Sequence, residues 1–453
     1  MAIGTLFVAN RGEIAVRIIR AARALGIRTV QAHSAADATS LAVQIADEAA
    51  LIGPPAAAKS YLNIDNIIEA AKAAGADAIH PGYGFLAENA TFAARVAEAG
   101  MIFVGPSADV ISKMGDKVAA REAAKAAGVP TVPGSEGRVP TLEEGRAIAD
   151  SIGYPVIIKA AAGGGGRGIR VANDAAEFER LFAQASGEAA AAFGDGGLYV
   201  EKVVYPARHV EVQILGDGTR AVHLFERECS LQRRRQKVWE EAPSAALSPD
   251  VRAALTASAV RLAQDVGYSG AGTLEYLYDE ESGDFYFIEM NTRIQVEHPV
   301  TEFVTGIDLV GAMLKIAGGS PLPYRQDEIA LKGHAIEVRL NAEDPANNFM
   351  PFPGKIEDLR VPGGPGVRWD SMLFTGYDVP PFYDSLLGKL IVWGEDREAA
   401  LDRLGAALSE LTIAGLKTTQ PLFTALLKAP EVRRGEAHIT WLETWLENNA
   451  KHL

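Results

Sequence analysis

In the first hundred residues, short runs of hydrophobic positions alternate with longer stretches in which hydrophobic and polar positions recur at helical spacing. Short apolar runs predict strands, and the longer stretches between them, with apolar residues at helical spacing, predict helices. The alternation of strand and helix predicts a parallel sheet with helices on its faces. The predicted strands are 6–9, 29–32, 78–80 and 102–104, and the predicted helices are 13–25, 64–74 and 92–99.

The pattern changes near Lys117 and again after Pro321 and Pro323. Strands with charged residues at regular intervals dominate the middle of the chain. The last part contains predicted strands at 335–340 and 389–393 and a predicted helix at 399–411. A length of 453 residues exceeds one ordinary core. We therefore expect three domains, at residues 1–115, 116–330 and 331–453.

A glycine-rich loop follows the apolar run 156–158. Lys159 ends the run, four consecutive glycines occupy 163–166, and Arg167 and Arg170 follow. Glycines let backbone N–H groups approach phosphate oxygens, and a lysine adds positive charge. A flexible surface loop is the alternative. The spacing matches neither a P-loop nor a dinucleotide-binding fingerprint, so a different nucleotide-binding architecture is indicated.

The segment 285–297 has the most informative polar pattern. If it is extended throughout, side chains at alternate positions share one face. That face would carry Glu289, Asn291, Arg293, Gln295 and Glu297. An amphipathic surface strand would show the same alternation, but the preceding residues 285–288 are apolar on both faces, and a buried polar row must be paired or coordinated.

These side chains suggest a metal site beside an anion site. Glu289 and Asn291 offer the oxygen ligands that Mg²⁺ prefers, and Glu275 adds a carboxylate from another predicted strand, 272–278. Arg293 could bind a small oxyanion, with Glu297 as a general base. The combination indicates phosphoryl transfer to a small anion.

Composition excludes some classes of protein. The formal net charge of −14 argues against a nucleic-acid partner. The single cysteine, Cys229, precludes an internal disulfide and favours a reducing compartment. The N-terminus lacks the features of a signal peptide, and no apolar stretch is long enough to span a bilayer. A cytoplasmic location without membrane attachment is expected.

Together these motifs resemble the biotin carboxylases, members of the ATP-grasp group. The resemblance extends over nearly the whole chain. Its most specific segments are 80–89 (HPGYGFLAEN), 114–117 (MGDK), 226–237 (ERECSLQRRRQK), 289–299 (EMNTRIQVEHP) and 333–344 (GHAIEVRLNAED). It implies an α/β, three-domain ATP-grasp fold: a Rossmann-like N-terminal domain, a central ATP-grasp domain with a mobile lid at about 135–203, and an α+β C-terminal domain.

The resemblance also implies roles for particular residues. Glu275, Glu289 and Asn291 would be the ligands of Mg²⁺ or Mn²⁺. Tyr83 and Arg339 would contact biotin, with Arg339 stabilising its enolate. The bicarbonate site would comprise Lys237, Arg293, Gln295, Val296 and Glu297, with Glu297 removing the bicarbonate proton. The ATP contacts would be Lys117, Lys159, Gly165, Gly166, Glu201, Lys202, Val204, His209, Gln232 and Arg235, together with Glu275 and Glu289.

The implied reaction is carboxylation of biotin by ATP and bicarbonate through carboxyphosphate. No Met-Lys-Met biotin-attachment site is present. We therefore expect the biotin carboxyl carrier protein and the carboxyltransferase to be separate chains, and a homodimer is expected. The chain departs from the family at Arg235, where many members have His or Asn, and at Ala160-Ala161-Ala162, where a Ser-Gly version is common.

Two other functions are compatible with parts of the pattern. An ATP-grasp ligase that joins a carboxylate to an amine would share the lysines, Glu275 and Glu289, but would not need Tyr83, Arg339 or the 293–297 row. A catalytically silent subunit would be expected to have lost part of the row. Glu88, which is not in the row, is a candidate cap for the helix near Phe92.

Overall fold

The computed structural model describes residues 3–160, 170–193 and 196–453. These residues form two compact units. One unit comprises Pro130–Ala207 and Leu277–Ile288, and the other contains the rest of the described chain. The N-terminal and C-terminal parts of the sequence therefore belong to the same unit, which we call the large unit; the other is the small unit.

The large unit begins with a five-stranded parallel sheet in the order β3-β2-β1-β4-β5. The predicted parallel sheet is confirmed. The pattern missed β3, because this edge strand is alanine-rich and mostly solvent-accessible. The elements are β1 Thr5–Val8, α1 Gly12–Ala24, β2 Arg28–Ser34, α2 Leu41–Ile45, β3 Glu48–Gly53, α3 Ile64–Ala73, β4 Ala78–His80, α4 Ala90–Glu98, β5 Ile102–Phe103, α5 Ala108–Gly115 and α6 Lys117–Ala126.

The small unit packs two helices against a three-stranded antiparallel sheet in the order β7-β6-β8. Its core includes Val156, Ile158 and Val200 from the sheet and Phe178 and Phe182 from a helix. The elements are α7 Leu142–Ile152, β6 Val156–Ala160, β7 Arg170–Ala172, α8 Ala175–Phe193 and β8 Leu198–Lys202.

A further sheet has eight strands in the order β13-β12-β9-β10-β11-β14-β19-β18. The remaining elements are β9 Ala207–Asp217, β10 Ala221–Arg233, β11 Gln236–Ala242, α9 Pro249–Asp265, β12 Ser269–Asp279, β13 Phe285–Asn291, α10 His298–Thr305, α11 Leu309–Ala317, β14 His334–Asn341, β15 Glu343–Asp344, β16 Met350–Pro351, β17 Asp358–Arg360, β18 Val367–Ser371, β19 Leu386–Gly394, α12 Arg397–Glu410, β20 Thr412–Ala414, α13 Gln420–Leu426, α14 Pro430–Arg434 and α15 Trp441–Asn449.

The period of two decides which side chains of this sheet reach the core. In β14, Val338 and Leu340 belong to the main hydrophobic core together with residues of α12, such as Leu404. The alternate residues Glu337 and Arg339 therefore face the other side. That side also carries the polar residues of the candidate site. In the described part of the chain, no helix combines the length and the apolar character needed to cross a bilayer.

Candidate active site

One face of the large sheet carries a row of buried polar side chains. In β9, His209, Glu211 and Gln213 alternate with the apolar residues Val210 and Val212, and all of them are buried. Glu211 lies opposite Arg227 of β10 in the antiparallel register. A polar row at this depth must be internally paired, because desolvated charges are costly when they have no partner.

Lys237 of β11 is the positive centre of this row. Its ammonium group donates to Glu275 Oε1 at 2.8 Å and to Glu297 Oε1 at 2.8 Å, and it also contacts Glu211. Burial alone would lower the pKa of Lys237, but Glu211, Glu297 and Glu275 outweigh it and hold this pKa well above its ordinary value. Lys237 is therefore charged at any physiological pH and neutralises part of the carboxylate cluster.

The structure corrects the prediction that 285–297 is one extended segment. β13 ends at Asn291, and the chain then turns, so that Glu297 is the N-cap residue of α10. The backbone N–H of Thr292 donates to Glu88 Oε1 at 3.1 Å rather than to a neighbouring strand. Pro299 in the first turn of α10 suits a helix start. The apolar run before Glu289 is also less buried than predicted, with Ile288 exposed.

The polar residues of the turn nevertheless converge on the carboxylate cluster. Gln295 donates to Glu275 Oε1 at 2.9 Å, and Arg293 donates to Asn291 Oδ1 at 3.0 Å. Glu297 accepts a hydrogen bond from Lys237 on Oε1 and one from Arg339, at 3.0 Å, on Oε2. A turn followed by the start of a helix brings these side chains together. The prediction had them together because alternate side chains of an extended strand share one face.

Opposing effects act on the pKa of Glu297. Its burial would raise this pKa, but Lys237, Arg339 and Arg227 outweigh burial and hold it well below the ordinary value. Arg339 also donates to Glu240 Oε1 at 2.6 Å. Burial raises the pKa of Glu240 to about 7 despite this partner. The two carboxylates that share Arg339 therefore titrate far apart, with Glu297 ionised at neutral pH.

The predicted metal ligands lie on two neighbouring strands, Glu275 on β12 and both Glu289 and Asn291 on β13. Asn291 donates to Glu275 Oε1 at 2.9 Å. Glu289 as a whole is exposed, but partial desolvation of its carboxylate and the charge of Glu275 raise its pKa, and Lys117 opposes them. Two mutually repelling carboxylates and the amide oxygen of Asn291, which here accepts from Arg293, are a donor set of the kind that suits a hard divalent cation. The residues present therefore fit Mg²⁺ or Mn²⁺.

The predicted biotin contacts are held by other buried groups. Tyr83 donates its hydroxyl proton to Glu13 Oε1. Arg339 is held from both sides by Glu240 and Glu297. Both side chains line the same cavity as the row.

The predicted nucleotide contacts divide between the two units. His209 lies 3.1 Å from Glu275 Oε2, and Gln232 lies 3.0 Å from the other nitrogen of the His209 ring. Arg235 is in the turn between β10 and β11 with a positive φ. Lys159 and Glu201 form an ion pair in the small unit, which also contains Lys202 and Val204. Gly165 and Gly166 lie outside the described residues.

A cavity of about 460 Å³ in the large unit collects most of the predicted site. The residues of the predicted site that line this cavity are Tyr83, His209, Gln232, Arg235, Lys237, Glu275, Glu289, Asn291, Arg293, Gln295, Val296, Glu297 and Arg339. A cavity of this size, with cations and carboxylates facing each other, is suited to binding anionic reactants beside a metal.

The sequence pattern gave no role to three of the side chains that organise this cavity, and it gave a wrong role to a fourth, Glu88. Arg227 and Glu211 are fully buried and bonded to each other, and Glu240 holds Arg339. The polar alternation of 209–213 was a signal for Glu211. Glu88 does not cap α4, because Asn89 does so; Glu88 instead accepts from Arg293 Nε at 2.8 Å.

Three families of known protein domains match successive parts of the chain. Residues 2–111 match the family described as biotin carboxylase, N-terminal domain, and residues 337–444 match its C-terminal domain. Residues 116–325 between them match the ATP-binding domain of the carbamoyl-phosphate synthase L chain. The chain thus has the three parts of an ATP-dependent carboxylating ligase.

Individual relatives agree along the full length. A biotin carboxylase of Nostoc sp. is 54% identical over 439 residues, which cover 97% of this chain and 98% of that protein. The bicarbonate-bound biotin carboxylase domain of a thermophilic 2-oxoglutarate carboxylase matches with a TM-score of 0.94, at 46% identity, over 100% of this chain and 99% of that one.

A second structure, the biotin carboxylase domain dimer of the Hydrogenobacter thermophilus 2-oxoglutarate carboxylase in complex with MgADP, ADP and bicarbonate, matches with a TM-score of 0.89. The identity is 47%, over 100% of this chain and 99% of that one. The chain belongs to the biotin carboxylase family. The predictions of the family, of its fold class and of a biotin carboxylase enzyme are confirmed.

Proposed function

We propose that this enzyme carboxylates biotin on a separate carrier protein, with ATP and bicarbonate as the other reactants and carboxyphosphate as the intermediate. The observation that carries the proposal is the pairing of Glu297 with both Lys237 and Arg339 inside the cavity. One carboxylate thus connects a cation of the proposed bicarbonate site with the arginine assigned to biotin.

Bicarbonate would bind in the anion site formed by Lys237, Arg293, Gln295, Val296 and Glu297. Its negative charge would share Lys237 with Glu297. Because Lys237 is the largest of the charges that hold the pKa of Glu297 down, sharing it would raise that pKa and make Glu297 a stronger base. The carboxylate is ionised before the reactant binds, so it can accept the bicarbonate proton.

In the first step an oxygen of the deprotonated bicarbonate attacks the γ-phosphorus of ATP. A new O–P bond forms, the bond to the leaving ADP breaks, and the proton stays on Glu297. Lys237 and Arg293 would stabilise the charge that grows on the transferred group. Glu275, Glu289 and Asn291 would hold Mg²⁺, which supplies charge neutralisation for the triphosphate when bound.

In the second step the C–O bond of carboxyphosphate breaks to give CO₂ and phosphate. The phosphate takes the proton of the biotin ureido nitrogen, and that nitrogen forms a bond to CO₂. Arg339 would stabilise the negative charge on the ureido oxygen, and Tyr83 would contact the ring. Glu240 and Glu297 keep the guanidinium in place for this role.

ATP would be held by Lys117, His209, Gln232 and Arg235, with Lys159, Gly165, Gly166, Glu201, Lys202 and Val204 contributed by a lid at about 135–203. The limits of the small unit, Pro130–Ala207, support treating this stretch as a separate element. Domain limits at 1–115, 116–330 and 331–453 remain our proposal for the sequence. A closed lid would exclude the water that hydrolyses carboxyphosphate.

The carrier protein and the carboxyltransferase would be separate chains, and the enzyme would act as a homodimer. The dimeric structure of the Hydrogenobacter thermophilus domain supports the second point.

The test is ADP release by the purified enzyme with MgATP, with and without bicarbonate and biotin. We expect bicarbonate-dependent release that biotin increases, and carboxybiotin as a product. Arg339→Ala should abolish carboxybiotin formation but leave much of the bicarbonate-dependent ATPase activity. Equal loss of both activities would contradict the assigned role of Arg339. Arg360→Ala, an exposed arginine paired with Asp358, is the matched control.

The same assay distinguishes the two other functions. A ligase that joins a carboxylate to an amine would release ADP only with those substrates and would be indifferent to bicarbonate. A silent subunit would release no ADP under any condition.

A further inference from the structure

A fully buried lysine lies beneath the proposed bicarbonate site. Lys389, in β19, is 0% exposed. Its ammonium group donates to the carbonyl oxygen of Val296 at 2.6 Å and lies 3.2 Å from Glu13 Oε1. Lys389 does not line the cavity. It therefore bonds to the backbone of the proposed anion-binding turn from behind.

The sheet register explains why Lys389 reaches this point. Lys389 lies opposite Arg339 of β14 on one side and opposite Asp370 of β18 on the other. Directly opposed residues share a face, so Lys389 and Arg339 project toward the same layer. That layer holds α10, whose Val300 and Val304 pack on Ile391 and Ala335. The turn that precedes α10 therefore lies against Lys389 and Arg339.

The partner of Lys389 is also the partner of the proposed biotin contact. Glu13 Oε1 receives both the Tyr83 hydroxyl and the Lys389 ammonium group. Glu13 Oε2 is buried and has no hydrogen-bond partner in the described part of the chain. Burial raises the pKa of Glu13, and Lys389 opposes that shift. A lysine and a glutamate at this depth are costly to bury, and the bonds to Val296 and Tyr83 are what the pair contributes to the site.

We infer that Lys389 is a positioning residue, which fixes the Val296 carbonyl and thereby the Gln295–Glu297 turn, and that Glu13 connects it to Tyr83. This inference rests on the proposed function, because it assigns bicarbonate to that turn. Lys389 touches no reactant. Its effect on turnover is exerted through the orientation of the turn.

The test is Lys389→Met, which shortens the side chain by one atom and removes the charge. A lost hydrogen bond from a charged donor is worth about a tenfold change in an equilibrium constant, here the one between the held and the released position of the turn. We expect the KM for bicarbonate, measured in the ATPase reaction without biotin, to rise at least about tenfold, while the KM for MgATP changes less than about twofold. The matched control is Arg252→Met, which removes the cationic partner of the buried carboxylate of Glu226, outside the cavity.

Glu13→Gln is the second variant, and it retains an oxygen that can accept from Tyr83. It should raise the KM for bicarbonate in the same direction, and Glu13→Gln/Lys389→Met should cost less than the sum of the two single changes. If Lys389→Met does not fold, Glu13→Gln alone carries the test.

An unchanged KM for bicarbonate in the folded variants would overturn the inference. So would an equal rise in both KM values, or an equal change in Arg252→Met, because a general loss of structure predicts those results. If instead the unaltered enzyme shows no bicarbonate-dependent ADP release, it is the proposed function that fails.

Discussion

Arg227 offers the sharpest test of how the candidate site is held together. Its guanidinium is fully buried and donates to Glu211, Gln213, Thr273, Gln295 and Thr301, at distances from 2.6 to 3.1 Å. The change Arg227→Met removes all five bonds with little change in volume. It leaves Glu211, which is also fully buried, with Lys237 as its remaining close cationic partner.

Summing five separate bond energies would overestimate the effect, because such contributions are not additive. Breaking one buried ion pair by removing one partner typically costs about 3–5 kcal/mol. We expect Arg227→Met to lower the free energy of unfolding of the large unit by about that amount. The freed amide of Gln295 should also loosen the proposed bicarbonate site, so activity should fall together with stability.

Tryptophan fluorescence during denaturant titration is a suitable assay. The five tryptophans, at 239, 369, 393, 441 and 445, all lie in the large unit, so the signal reports on its unfolding alone. The change in midpoint, multiplied by a common slope, gives the difference in free energy. The control Arg325→Met removes an exposed arginine paired with Asp327 and should leave the midpoint unchanged. A loss below about 1 kcal/mol for Arg227→Met would refute the view that Arg227 supports the row.

The remaining predictions concern carboxylates around the same row. Glu297→Gln should suppress both bicarbonate-dependent ATPase and carboxybiotin formation, and normal bicarbonate-dependent turnover would eliminate Glu297 as the base. Glu88→Gln should weaken the hold on Arg293 and raise the KM for bicarbonate by a few fold, measured against an unchanged KM for MgATP. Burial raises the pKa of Glu240 to about 7, so the folded state binds about one more proton than the unfolded state near pH 6. The Glu240 contribution to stability is therefore present at acidic pH and is lost as the pH rises toward 7. Between pH 5 and pH 7 the denaturation midpoint of Glu240→Gln should therefore fall less steeply than that of the unaltered enzyme. An equal fall of the two midpoints with pH would contradict this.

Local sequence determined several parts of this protein. The apolar periods of the first hundred residues predicted the parallel sheet, because strands such as β1 and β4 are buried and short while α1 and α4 present one apolar face. The resemblance, which rests on contiguous motifs, was sufficient to indicate the family. Most of the predicted site residues of the large unit also line one cavity.

Tertiary structure alone decided how the polar residues meet. A period of two says which side chains share a face, but not where a strand ends. β13 ends at Asn291, the next backbone N–H donates to Glu88, which is far away in sequence, and α10 then begins at His298. Glu13 and Lys389 come from opposite ends of the chain and meet only because the first helix and β19 pack in the same unit. The energy of such pairs depends on burial and on partners brought by folding, and neither is written in the local pattern of the sequence.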